Sequence, residues 1–199
     1  MNVRTLDTQT ASMRYWVFDT ALGPVGLVWS EHGIVRLQLP ERNRTATERR
    51  LRAGTVDLVE AEPGEETAVA VALLQGYMAG ERIDFSGTRL DMTGIGEFHR
   101  AVYARARAID WGETTTYGAL AKATGSPEAA RAVGQAMGRN PVPIIIPCHR
   151  VLASGNKIGG FSAFGGAVAK ERLLAMEGVH LGDATPMLPG LLDANRRGF

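Results

Sequence analysis

One cysteine, Cys148, stands in the 199 residues. No disulfide can form within the chain, so a stapled secreted scaffold is excluded. A zinc site built on several thiolates is excluded with it, because His32 and His99 have no sulfur ligand to join, and no metal is expected. Apolar runs of about 18 residues are also missing, and the first residues lack the hydrophobic stretch of a secretion signal. No membrane association is therefore expected, and a cytoplasmic location is. Lysine is absent from residues 1–90, which hold ten arginines against twelve acidic residues. Residues 100–172 instead hold ten basic residues against four acidic ones, a local excess hidden inside a net charge of +1. Such asymmetry suits a polyanionic partner.

With 45% hydrophobic residues the chain can bury one substantial core or two small ones. Residues 15–20, 26–30 and 34–39 are β-leaning runs separated by Leu22-Gly23-Pro24 and His32-Gly33, which predicts an antiparallel meander. A helix over 66–78 follows, with Val69, Leu73 or Leu74, and Met78 at packing intervals. The pattern breaks at residues 89–96 before a helix carrying Phe98, Val102 and Ile109 on one side. Further on, residues 117–123 read as a short helix ending at Gly125. Ser126 as a cap and Pro127 at the first position start another, over 127–137. Two short helices joined by a glycine-containing turn make a helix-turn-helix. The second helix has an apolar stripe of Ala130, Val133 and Met137, while Arg131, Gly134, Gln135 and Gly138 share another side. Glycine inside a helix costs about 1 kcal/mol against alanine, so that face implies close approach by a neighbouring helix or by nucleic acid.

Cys148 itself lies in Ile146-Pro147-Cys148-His149-Arg150-Val151. A lone thiol beside an imidazole after a proline fits a positioned nucleophile, yet free cysteine is also among the most buried residue types. On a regular strand Cys148 and His149 would face opposite ways, whereas a turn would bring them together. Glu177 follows Leu173 and Leu174 at helical spacing, which places its carboxylate on or beside an apolar face where it needs a partner.

The order Gly112-Glu113 to Tyr117, Ala130-Arg131-Ala132-Val133-Gly134, Asn140-Pro141, Pro147-Cys148-His149-Arg150-Val151, Gly159-Gly160-Phe161, and Lys170 to Glu177-Gly178 resembles the O6-alkylguanine-DNA alkyltransferases, over residues 92–178 in one collinear run. The resemblance implies an α/β (α+β) fold, with a ribonuclease-H-like α/β roll over 1–91 whose first twelve residues are flexible. A helical, winged-helix-like catalytic domain would span 92–179 and a peripheral tail 180–199. It implies stoichiometric transfer of a methyl or small alkyl group from O6-alkylguanine, and from O4-alkylthymine, to Cys148, with no cofactor. His149 would act as base through a bridging water, Glu177 would complete the relay, Tyr117 would face the extruded base and Asn140 would support the active-site turn. The partner would be double-stranded DNA, bound by a monomer through the minor groove with the damaged base flipped. Arg131 would fill the vacancy, with Ala130, Ala132 and Gly134 giving clearance and Arg139 and Lys122 touching phosphates. Met137, Val151, Phe161 and Ser162 would line the substrate pocket.

The chain departs from the family's commonest pattern after Phe161, where Ser162-Ala163-Phe164 lengthens the loop, and at Gly138-Arg139, where the usual order is reversed. Which of Phe161, Ser162 and Phe164 meets the base is thereby left open. Two other classes fit parts of the pattern. A non-catalytic lesion binder of the alkyltransferase-like kind would replace the cysteine, and a regulator reading the major groove would need more side chains than this glycine- and alanine-rich helix offers.

Overall fold

A computed structural model describes residues 13–181 apart from 56; the expected flexible start, residues 1–12, and most of the expected tail lie outside the described residues. Strands β1 (Arg14–Thr20), β2 (Gly23–Ser30) and β3 (Gly33–Gln38) form the predicted meander. A two-residue strand, β4 (Val59–Glu60), adds in parallel to β1, giving the order β3-β2-β1-β4. Helix α1 (Arg44–Arg52), unforeseen in the sequence, lies between β3 and β4 and is capped by Asn43 accepting from the Ala46 N–H. Helix α2 (Glu65–Met78) follows. The C-terminal part is helical: α3 (Glu97–Arg107), α4 (Tyr117–Ala123), α5 (Ala130–Gly138) and α6 (Gly166–Met176). Strands β5 (Thr115–Thr116) and β6 (Val151–Leu152) pair in parallel among them. The molecule is thus a mixed α/β protein with a small sheet. Among the described residues no helix is long and apolar enough to cross a membrane.

Two local expectations need correction. The segment Pro127–Ala129 is a single 3-10 turn leading into α5, and the Ser126 side chain makes no cap hydrogen bond because its backbone (φ −131°, ψ 67°) is not that of a helix cap. In α2 the packed residues are Ala70, Leu74, Tyr77 and Met78, while Val69 is 56% exposed. The stripe there follows i, i+4, i+7 and i+8 from Ala70, a helical spacing that leaves Val69 one position off the face.

The larger of two apolar clusters runs from Phe18 and Leu27 of the sheet through Leu74 and Tyr77 to Val102, Val133, Cys148 and Leu173, and the smaller joins Tyr15, Val17 and Val28 to Leu51 of α1. The β3 edge of the sheet is tied both to the segment ahead of α3 and to the C-terminal part. Ile34 N–H donates to Arg89 O at 3.0 Å, and Leu37 N–H donates to Pro141 O at 2.9 Å, just ahead of the cysteine turn. Gly33 makes the first tie possible: its φ is +134°, and a Cβ there would meet Arg89 O at 2.7 Å.

Burial separates two apolar positions of α2. Leu74→Ala should cost about 2–5 kcal/mol by cavity formation, whereas Val69→Ala should stay within about 0.5 kcal/mol. Denaturant unfolding of the two variants checks the assignment; equal losses would contradict the helix face seen here.

Candidate active site

Cys148 opens a 3-10 turn, Cys148–Arg150, which answers the adjacency question left by the sequence, since the turn places neither Cys148 nor His149 on a strand. The turn is presented by a strained loop. Ile144, 1% exposed, holds φ at 72°. For a β-branched residue this left-handed conformation costs on the order of 1–3 kcal/mol, so the surrounding packing must impose it. Asn140 braces the same loop from both sides, its amide donating to Ile146 O at 2.7 Å and its carbonyl accepting from Val142 N–H at 3.0 Å.

Behind the thiol lies a buried polar cluster. His149 Nε2 stands 2.8 Å from Glu177 Oε1, and both side chains are fully enclosed. The carboxylate thus has the partner that its place beside an apolar face calls for. Its carboxylate collects further donors: Tyr77 O–H at 2.6 Å, Arg150 Nε at 2.8 Å and the Arg150 Nη2 group at 2.9 Å. Arg150 also donates to Ile109 O at 2.6 Å, which anchors it to the segment after α3. Burial alone would raise the Glu177 pKa, but the hydrogen bonds from His149, Arg150 and Tyr77 outweigh it and hold the carboxyl down at about 2. Burial lowers the His149 pKa, so the imidazole is neutral at pH 7. With Glu177 ionised, Nε2 carries the hydrogen. Nδ1, buried and without a protein partner, keeps its lone pair and can accept a proton.

The thiol is not pre-ionised. Burial raises the Cys148 pKa, and the Asn140 amide and the Lys170 charge offset this only in part. Cys148 thus rests as a protonated thiol, 6% exposed.

Lys170 was not singled out in the sequence. It is fully buried on α6, donates to Val151 O at 2.6 Å and sits 5.7 Å over the Tyr117 ring. Burial lowers its pKa to about 8. Tyr77 was likewise missed; a helix residue far from the motif in sequence carries no local signal of its role. Tyr117 follows directly on β5, in which Thr115 and Thr116 pair with Val151 and Leu152 of β6.

An open cleft of about 430 Å³ leads to the thiol, lined by Tyr117, Gly134, Met137, Gly138, Cys148, Gly160, Phe161 and Ser162. Three of the four expected pocket residues line it. Val151 does not, being fully buried as the β6 partner of Thr115. Of the lengthened loop, Phe161 and Ser162 face this cleft, whereas Phe164 is 56% exposed beside a different groove with Leu22 and Val168. Arg131, Arg139 and Lys122 are exposed, and Ala130 and Ala132 half-buried. None of these three cations is ion-paired among the described residues. The glycines of this face do not serve internal packing. A Cβ at Gly134 would make only an ordinary contact with Tyr117 at 4.0 Å, and one at Gly138 would meet nothing. Among the described residues no neighbouring helix accounts for them. Among the described residues no group of three or more His, Cys, Asp or Glu could hold a metal ion.

A thiol at the base of a cleft, backed by imidazole and carboxylate and flanked by a helix pair, defines a protein with a cysteine nucleophile. The family model described as 6-O-methylguanine DNA methyltransferase, DNA binding domain, matches residues 97–179. A methylated-DNA–protein-cysteine methyltransferase of Methanosarcina acetivorans is 37% identical over 168 residues, covering 83% of this chain and 99% of the relative. One from Mus musculus is 35% identical over 87% of this chain and 85% of its own length. The crystal structure of Mycobacterium tuberculosis OGT in complex with DNA superposes with a TM-score of 0.69 at 34% identity, over 82% of this chain and 92% of that one. The chain belongs to the methylated-DNA–protein-cysteine methyltransferase family.

The pKa shifts of the buried pair set an acid limit on stability. The Glu177 pKa is depressed from 4.5 to about 2, so its stabilisation is complete above pH 4.5 and is lost as pH falls toward 2. His149, also depressed, adds in the same direction below its ordinary 6.5. The carboxylate's share is on the order of 3 kcal/mol. Glu177→Gln should lower stability at pH 7 by about 3–5 kcal/mol, since Arg150 then keeps a buried unpaired charge, and should flatten the decline between pH 5 and pH 3. Denaturation midpoints across that range measure it; an unchanged slope would mean that another group sets the acid limit.

Proposed function

We propose that this protein repairs DNA by direct reversal, moving a methyl or small alkyl group from O6 of guanine, and from O4 of thymine, onto Cys148 once per molecule. The observation that carries the reading is the thiol at the end of the cleft with the His149–Glu177 pair behind it. As sulfur attacks the alkyl carbon, the S–H proton passes through a bridging water to His149 Nδ1. The S–C bond forms, the C–O6 bond breaks, and its electron pair stays on the purine oxygen. Tyr117 supplies its hydroxyl to the purine as charge develops there. The purine ends as guanine with the proton that sulfur gave up. The resulting thioether has no route back to thiol, so each molecule acts once. No cofactor enters the balance.

Duplex DNA hides its bases in the stack, so the damaged base must be extruded into the cleft at a cost of a few kcal/mol. In this reading α5 enters the minor groove, only about 6 Å wide, where a helix face built of Gly134, Gly138, Ala130 and Ala132 has the clearance that a bulkier face lacks. Arg131 fills the vacated stack, and Arg139 and Lys122 meet phosphates. The finer architecture is a ribonuclease-H-like roll over residues 1–91 ahead of a winged-helix-like unit over 92–179. The protein works as a monomer.

After incubation with an O6-methylguanine duplex, intact mass should show one methyl gained per molecule, mapped to Cys148, and Cys148→Ala should gain none while still binding DNA. Turnover beyond one equivalent would overturn the mechanism. Arg131→Ala should slow duplex repair at least about tenfold more than reaction with free O6-benzylguanine, because only the duplex demands extrusion. Equal losses on both substrates would assign Arg131 a packing role.

A further inference from the structure

The cleft beside Tyr117 is not alone in bordering Cys148. A second groove, of about 260 Å³, shares Gly138, Cys148 and Ser162 with it. The rest of its lining includes an apolar set with Leu37, Leu39 and Pro143, and a cationic set of Arg36, Arg50 and Arg139. No carboxylate lines either opening. None of the three arginines has an ion-pair partner among the described residues. Arg36 is held in place, one nitrogen donating to Leu51 O at 2.8 Å and Ala53 O at 2.9 Å at the end of α1.

Displacement at carbon requires sulfur, carbon and leaving oxygen in line, so the other substituents on that carbon stand out sideways from the sulfur. A methyl group places only hydrogens there. A longer chain needs room beside Cys148, away from the cleft that takes the purine, and the second groove supplies it, with a volume well above the ~30 Å³ share of one water. Resting on the alkyl-transfer reading above, we propose that this groove receives the chains of O6 adducts larger than methyl, and that its arginines select chains ending in a carboxylate. The substrate class is the O6-(carboxyalkyl)guanines. Transfer follows the same balance as for methyl: the S–C bond forms, the C–O6 bond breaks, and the carboxylate is carried unchanged onto the thioether.

The experiment compares single-turnover rates on one duplex carrying O6-methylguanine, O6-butylguanine or O6-(3-carboxypropyl)guanine in turn. The carboxypropyl adduct should react about tenfold faster than the butyl adduct, the worth of one charge-assisted hydrogen bond. Arg50→Ala, at an exposed position of α1, should leave the methyl rate unchanged and cut that ratio at least threefold. The ratio taken within one protein cancels any change in DNA affinity, so Arg139→Gln serves as a second variant, and it too should lower the ratio. Methyl transfer with neither longer adduct accepted would overturn the groove's role, and a butyl rate equal to or above the carboxypropyl rate would overturn the charge selection. A ratio unmoved in both variants would do the same. Failure on all three adducts, methyl included, would instead sink the alkyl-transfer reading itself.

Discussion

The Glu177 carboxylate, buried and hydrogen-bonded by three side chains, is the constraint on which the site depends. Its donors come from separate segments: Tyr77 from α2, His149 and Arg150 from the turn that begins at the cysteine. A buried carboxylate without partners costs several kcal/mol, so the sheet-side helix, the cysteine turn and the end of α6 must all be in place together. The same contacts settle the imidazole's tautomer. Because Glu177 keeps its charge down to about pH 2, it cannot take the proton that leaves the thiol. In the proposed transfer that proton passes to His149, where the carboxylate and Arg150 hold the balance of charge around it until the purine takes it up.

A raised thiol pKa in a cysteine nucleophile looks at first like a defect. Thiolate attacks carbon and thiol does not, so activation is deferred until a base draws the proton away. For a protein that the proposed reaction consumes, the deferral has a use. A thiol that is protonated, 6% exposed and set between Asn140 and a buried lysine offers little to stray electrophiles. Reactivity then depends on a substrate that fits the cleft well enough to hold its carbon in line with sulfur. Selectivity comes from geometry, where a permanently ionised thiolate would supply it poorly.

How legible all this was in the sequence depended on whether a signal was local. The meander and α4 follow from β-leaning runs broken at glycine and proline and from a glycine stop, each within a few residues of what it governs, whereas Pro147 allowed the cysteine turn without requiring it. Glu177 was legible because the two leucines before it mark the apolar face. Helix α1 was hidden by composition: four of its nine residues are arginine, and only Ala46, Thr47 and Leu51 are buried. Tyr77 and Lys170 were hidden for a different reason. Tyr77 reads as one more apolar position of α2, and the hydroxyl's partners lie 72 and 100 residues away. Lys170 reads as a solvated charge on a helix; only the fold reveals that Val151 O and the Tyr117 ring receive it. Long-range polar contacts leave no periodicity, and periodicity is what a single sequence displays.

The glycines of α5 show the reverse case, a local signal whose cause the fold does not contain. Gly134 and Gly138 carry no positive φ, and a side chain at either would meet at most a tyrosine edge at ordinary distance. Alanine would stabilise the helix at each place by about 0.5–1 kcal/mol, so stability alone argues against both glycines. Arg131 occupies the same helix, exposed and without an ion-pair partner among the described residues. A face that gives up helical stability for clearance, keeps one long cation and lies on the rim of the cleft to a buried nucleophile is shaped by something outside the chain. A narrow, anionic groove that must be entered closely would account for all three features at once, whereas any packing explanation has to account for side-chain space that nothing among the described residues fills.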